Sequence, residues 1–272
     1  EVIYPNPGFP IYESMINFAG AKAVPIPLRM ENAFDLDVDE LASLVTDRTR
    51  MIILNSPANP TGGVTSAEQL ARVAEIAQAR GIPVLSDEIY CRLLYDDTFA
   101  SIASVPGMAE QTIILDGFSK TYAMTGWRLG YGVMPVELAR QITKLMVNSN
   151  SCTAAFTQMA GVEALTGPQD SVAAMLAAFR RRRDLMVAGL NRIPGFRCLV
   201  PKGAFYVFPN VAGTGLSSQA LADKLLYEAG VAALAGTCFG AHGEGFIRFS
   251  YANSEENLAK ALDRVADVVA KL

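Results

Sequence analysis

Short apolar runs that stop abruptly in polar, turn-forming residues recur through the first half of the chain. Arg50–Leu54 ends in Asn55-Ser-Pro-Ala-Asn-Pro-Thr-Gly62, Gly81–Leu85 ends in Ser86-Asp-Glu-Ile-Tyr90, and Thr112–Leu115 ends in Gly117-Phe-Ser-Lys120. Runs of this length bounded by turn signals predict short buried strands, and Val2–Tyr4 predicts another at the start. Between the first two runs, Ser66-Ala-Glu-Gln69 has the form of a capping box. It opens a helix with Leu70, Val73, Ile76 and Ala77 on one face, and Gly81 is its expected stop. Strand, helix, strand is a βαβ unit, and such a crossover makes the two strands parallel.

The second half changes character. Val136–Leu145 and Thr153–Leu165 predict helices, the latter ended by Gly167-Pro168. Ser171–Leu190 predicts a long helix with Val172, Met175, Leu176 and Phe179 at helical spacing, continued by Leu185, Met186 and Leu190. Then come short β runs at Phe196–Val200 and Ala204–Phe208, a helix at Ser218–Ala229, a strand at Gly245–Tyr251 and a terminal helix at Ser254–Lys271. The expected architecture is a mostly parallel α/β sheet flanked by helices (residues 1–170), a bridging helix (171–190) and a smaller α+β domain (191–272).

Ligands of open parallel sheets bind beyond the carboxyl ends of the strands. Asn59, Asp87, Ser119 and Lys120 all fall just past such ends and are expected to converge on one edge. A lysine amine in a desolvated cleft loses its proton easily and forms a Schiff base with a carbonyl. Arg128, beside the only tryptophan (Trp127), and Ser119 suit a phosphate. A lysine with a phosphate site is the minimal signature of a pyridoxal phosphate enzyme. A carboxylate such as Asp87 would keep a pyridine nitrogen protonated, which makes the ring an electron sink. Tyr90, read as one helical turn further on, and Asn59 would donate to the ring's phenolate oxygen. Taken singly, Ser-Lys-Thr is an ordinary turn, Asp87 a helix N-cap and Asn59-Pro-Thr-Gly a loop. Their joint order and topology outweigh those plainer readings.

Asn59-Pro-Thr-Gly62, Asp87-Glu-Ile-Tyr90, Ser119-Lys120 with Gly126-Trp-Arg-Leu-Gly-Tyr131, and Phe246-Ile-Arg-Phe-Ser250 span most of the chain. In that order they resemble the class I/II aminotransferases, fold-type I pyridoxal phosphate enzymes. The resemblance implies that Lys120 is the Schiff-base lysine and proton shuttle, that Asp87 pairs with the pyridinium nitrogen, and that Asn59 and Tyr90 contact the phenolate oxygen. It also implies Ser119 and Arg128 at the phosphate, Arg248 as a bidentate grip on the substrate α-carboxylate, and Phe9 stacked on the ring. Transamination between an amino acid and a 2-oxo acid, in a homodimer, is the implied activity. The family carries an N-terminal segment with a phosphate-cradling loop that finds no match here, so the chain is expected to be a fragment with an incomplete site.

Composition narrows this little. With 272 residues, 51% of them hydrophobic, a large core is available. A net charge of −4 without a basic stripe argues against nucleic acid, and Arg180–Arg183 reads as a solvated patch on a helix. Cys91, Cys152, Cys198 and Cys238 are scattered and His242 is the single histidine, so no metal site is expected. Reduced thiols point to the cytoplasm, and no membrane span or signal peptide is visible. Two alternatives stay open: a carbon–sulfur lyase of the same fold, and a cofactor-binding effector domain of a transcription regulator that has no turnover.

Overall fold

The structure is a computed structural model that describes residues 1–272. Strands β1 (Val2–Asn6), β2 (Ala23–Pro27), β3 (Met51–Asn55), β4 (Val84–Asp87), β5 (Thr112–Gly117) and β6 (Gly130–Val133) form one sheet in the order β2-β1-β3-β4-β5-β6. The first five run parallel and β6 closes the edge antiparallel to β5. Its register sets Asn55 opposite Asp87 and Asp87 opposite Leu115, so β3 and β4 finish level while β5 continues to Gly117. β3 is buried from Ile52 to Asn55 without alternation, as expected for a strand covered on both faces.

Helices α1 (Ile11–Phe18), α2 (Val38–Leu44) and α3 (Ala67–Arg80) pack around this sheet. The predicted capping box of α3 is present: Ser66 accepts from the Gln69 amide at 3.1 Å while the Gln69 side chain accepts from the Ser66 amide at 2.8 Å. Such a cap contributes ~1 kcal/mol. Gly81 ends α3 at φ 62°, a left-handed conformation that glycine adopts without strain. Leu70, Val73, Ala74 and Ala77 are its buried face.

Helices α4 (Val136–Asn150) and α5 (Ala155–Thr166) lead into α6 (Asp170–Leu190). A small antiparallel sheet follows, built from β7 (Tyr206–Val207), β8 (Leu234–Ala235) and β9 (Ile247–Ser250) in the order β7-β9-β8. It packs with α6, α7 (Ser218–Ala229) and α8 (Glu255–Val269) around a core that includes Leu190, Leu221, Leu225, Ile247 and Tyr251. Ser254 caps α8 by accepting from the Asn257 amide. No helix is long and apolar enough to cross a membrane.

Three expectations change. Phe196–Val200 is not a strand, because the Asn191 side chain occupies both hydrogen-bonding groups of Cys198 and only Arg197 and Asn210 bridge. Ala204–Phe208 pairs over Tyr206–Val207 alone, as Ala204 turns left-handed at φ 60°. The Arg180–Arg183 run is not a solvated patch: Arg183 is only 5% exposed, lies over the Tyr95 ring at 4.7 Å and pairs with Asp96 and Asp184. Arg180 reaches the same Asp96 and the Tyr95 carbonyl. These arginines fasten α6 to the segment after β4. The two large cores also interlock, since Phe208 and Phe239 belong to the core of the large sheet and Tyr95 to that of the small one. Phe34 lies 5.9 Å from Phe208 and 5.6 Å from Phe246, and the latter two rings stack at 5.0 Å.

Candidate active site

The level strand ends build the site's floor. Asn55, the last residue of β3, donates from Nδ2 to the Asp87 carbonyl at 3.2 Å and accepts at Oδ1 from the Asn59 amide at 2.9 Å. One side chain thus holds the Asn-Pro-Thr-Gly loop against β4. Gly62 ends that loop at φ 71°, and a Cβ there would lie 2.4 Å from the Pro201 side chain. Its carbonyl accepts from Lys202 and Gly203, so the loop seats the second half of the chain as well.

Asp87 accepts at Oδ2 from the Tyr12 hydroxyl of α1 at 2.6 Å and at Oδ1 from the Ile89 amide at 3.2 Å. Burial raises its pKa, against the pull of those two donors. Asp87 opens into a cavity of about 360 Å³ shared with Phe9, Asn59, Tyr90, Lys120 and Arg248. Lys120 comes from the turn after β5, and its Nζ sits 5.7 Å from the Phe205 ring and 6.0 Å from the Tyr90 ring. Desolvation lowers its pKa, Arg128 and Arg248 add to the effect, and Asp87 opposes it. The result is an amine more readily neutral, hence nucleophilic, than an exposed lysine.

Arg248 arrives on β9 with its guanidinium between the rings of Tyr206 at 4.3 Å and Phe239 at 4.7 Å. Its Nη1 donates to Asn59 Oδ1 at 2.9 Å, and its Nε is buried without a partner. Burial lowers its pKa, and a carboxylate would satisfy the idle donor. The cavity therefore brings a partly desolvated amine, a half-buried acid and a guanidinium with an idle donor into one small volume.

The family model for Aminotransferase class I and II matches residues 1–265. This chain belongs to that family. Among its relatives, the aspartate aminotransferase of Pyrococcus abyssi is 42% identical over 272 residues, which cover 99% of this chain and 70% of that protein. The arginine–pyruvate transaminase AruH of Pseudomonas aeruginosa is 41% identical over 272 residues, covering 100% of this chain and 69% of that protein. The crystal structure of the aromatic aminotransferase from Pyrococcus horikoshii superposes with a TM-score of 0.96 at 41% identity, covering 99% of this chain and 73% of that one. As in those aminotransferases, the fold is a large, mostly parallel sheet with flanking helices.

Six of the eight expected site residues line the aminotransferase cavity: Phe9, Asn59, Asp87, Tyr90, Lys120 and Arg248. Phe9 is partly exposed at the mouth, edge-on to Tyr12 at 6.0 Å. Tyr90 lies in consecutive turns rather than on a helix, and its hydroxyl shares a 2.9 Å hydrogen bond with that of Tyr206. Ser119 and Arg128 do not line the cavity. Arg128 is exposed, donates to the Thr125 carbonyl at 2.8 Å and lines a second cleft, of about 670 Å³, with Trp127 and Thr153. Tyr12, Asn55 and Tyr206 escape the sequence reading, although Tyr12 follows Phe9 by three residues and Asn55 ends a predicted strand.

Pyridoxal 5′-phosphate fits what is present. The Asp87 carboxylate is half-buried and hydrogen-bonded to neutral donors, so a protonated ring nitrogen would supply the charge it lacks. Lys120 and Arg248 share the same cavity, where an aldehyde and a substrate carboxylate would meet them.

Proposed function

We propose that this aminotransferase binds pyridoxal 5′-phosphate in the cavity between Asp87 and Lys120 and moves an amino group between an amino acid and a 2-oxo acid. One observation carries the reading. A half-buried carboxylate that makes no salt bridge, its pKa raised by burial, shares a small cavity with a lysine that desolvation makes more readily neutral. When bound, the cofactor supplies an aldehyde and a ring that draws negative charge from the substrate α-carbon.

The chain's own residues do the rest. Asp87, held by Tyr12 and Ile89, accepts the proton-bearing ring nitrogen and keeps that proton in place. Asn59 and Tyr90 donate to the ring's phenolic oxygen, and Phe9 covers the ring and limits water at the mouth. Arg248 takes the α-carboxylate with its free Nε and its Nη edge, as a planar fork can. Lys120 Nζ would take the substrate α-proton and carry it to the far side of the amino nitrogen, the proton movement that amino transfer needs. Ser119 and Arg128 would hold the phosphate.

The reading extends to a cytoplasmic homodimer. Four free cysteines suit a reducing compartment. The exposed apolar side chains of α4 and α5, Val136, Leu145, Phe156 and Met159 among them, suit a second copy. Light scattering of the purified protein tests the dimer.

Mixing the protein with pyridoxal phosphate, recording its absorbance, reducing with borohydride and mapping the labelled peptide tests the site. The expected result is a single modified lysine, Lys120; a label elsewhere, or no absorbance band, overturns the reading. Product formation that requires an added 2-oxo acid separates amino transfer from carbon–sulfur elimination.

A further inference from the structure

We propose that Tyr206 is a positioning residue that couples the seat of Arg248 to the hydroxyl of Tyr90 across the cavity, an inference that rests on the function proposed above. Tyr206 lies opposite Ser250 in the β7–β9 ladder, so Arg248, two residues away, projects from the same face of the sheet. Its ring is 4.3 Å from the Arg248 guanidinium carbon, and its hydroxyl shares the 2.9 Å bond with Tyr90. Both tyrosines are buried, so each hydroxyl depends on the other. The backbone beneath is fixed: the Ala204 carbonyl accepts from the Tyr95 and Tyr251 hydroxyls at 2.6 and 3.3 Å, and the Phe205 carbonyl accepts from the Tyr251 amide at 3.1 Å. A shift of Tyr206 therefore moves both ends of the site.

The chemistry explains why aromatic rings and not an acid hold Arg248. A carboxylate would neutralise the guanidinium and compete with a substrate carboxylate. The faces of Tyr206 and Phe239 fix its plane by cation–π attraction and leave its charge and its Nε free. The Tyr206 hydroxyl does a separate task, because it orients the hydroxyl of Tyr90, whose ring flanks Lys120. Ring and hydroxyl are separable by substitution.

Calorimetry of the cofactor-free protein with hexanoate, an unreactive monocarboxylate, reads the ring's task. Tyr206→Leu weakens hexanoate binding by ~3- to 30-fold, the range expected for loss of a partly desolvated cation–π contact. Tyr206→Phe keeps the ring and changes hexanoate affinity by less than about twofold, the margin left when that contact persists. A pH titration of the absorbance band in the pyridoxal phosphate-loaded protein reads the hydroxyl's task. The charged groups acting on Lys120 there are Asp87, Arg128 and Arg248, and all three stay unchanged. Tyr206→Phe moves the midpoint by ~0.5 pH unit or more, and in a Tyr90→Phe background the same substitution moves it no further, the signature of a coupled pair.

Hexanoate affinity of Tyr206→Leu within twofold of wild type overturns the seat. A midpoint shift that persists undiminished in the Tyr90→Phe background overturns the hydroxyl link. A wild-type protein with no absorbance band overturns the cofactor reading instead, while the cofactor-free calorimetry still judges Tyr206 as the seat of Arg248. Circular dichroism melts of Tyr206→Phe and Tyr206→Leu that match wild type exclude unfolding as the cause.

Discussion

The end of β4 and the turn after β5 stand side by side yet differ in how far they are prepared. At β4, Asp87 is enclosed, its two oxygens are engaged by Tyr12 and Ile89, and its carbonyl is held by Asn55. After β5, Arg128 faces solvent and spends a donor on the nearby Thr125 carbonyl. The first region is built for a charge that must sit in one place. In the proposed reading the second would rearrange to meet an anion and give back part of the interaction in ordering its side chain. Preparation and sensitivity should go together: substitutions at the enclosed end strike chemistry, while those at the open end strike affinity.

The largest effect is expected at Lys120, which joins the two regions. Lys120→Ala should eliminate the borohydride-trapped peptide and lower turnover by ~10⁴-fold, the upper scale for a positioned proton-transfer group. Asp87→Ala should lower turnover by at least ~10²-fold, the scale for loss of a preorganised electrostatic partner. Wild-type turnover from that variant would remove Asp87 from the chemistry. Arg248→Lys should raise KM for every 2-oxo acid by ~10-fold or more and leave the pH profile in place, because a charged hydrogen bond contributes ~1.5–3 kcal/mol and lysine lacks the fork. Arg128→Gln should weaken pyridoxal phosphate binding by only ~10-fold by titration, at the lower edge of such contacts. A loss as large as that at Asp87 would show that the open end is as prepared as the enclosed one.

The smallest effect concerns stability. Burial raises the pKa of Asp87, so holding it ionised costs the folded, cofactor-free protein stability as pH rises above the usual carboxylate range. Asp87→Asn removes that cost. Its melting temperature at pH 7 should exceed wild type by ~2–4 °C, the shift that about 1 kcal/mol produces in chains of roughly this size. The difference should shrink as pH falls through the usual carboxylate range and vanish below about pH 3, where the wild-type group is protonated both folded and unfolded. A difference that does not change with pH would assign the gain to packing.

Much of the enclosed end can be read along the chain. Apolar runs with abrupt polar ends mark β3, β4 and β5, and parallel topology alone brings Asn59, Asp87 and Lys120 to one edge. Arg248, implied by its motif, also lines their cavity. Tyr12 and Tyr206 leave no such trace, since their partners, Asp87 and Tyr90, lie 75 and 116 residues away. The helix expected around Tyr90 fails because the backbone there closes i to i+3 turns, Cys91 onto Glu88 and Leu93 onto Tyr90, without a continuing ladder. The arginine run misleads for a related reason: helical rotation turns Arg183 inward, and the aspartate that receives it comes from a distant loop.

The aromatic interlock at Phe34, Phe208, Phe239 and Phe246 sets a limit on modular exchange. Phe239 belongs to the large-sheet core and also supports one face of Arg248, so the proposed anchor for the substrate is not carried by a detachable piece. Grafting the C-terminal third from a relative to retune specificity would import its rings into a socket shaped for these. Such chimaeras should fail at the seam unless residue 34 and its neighbours travel with the graft.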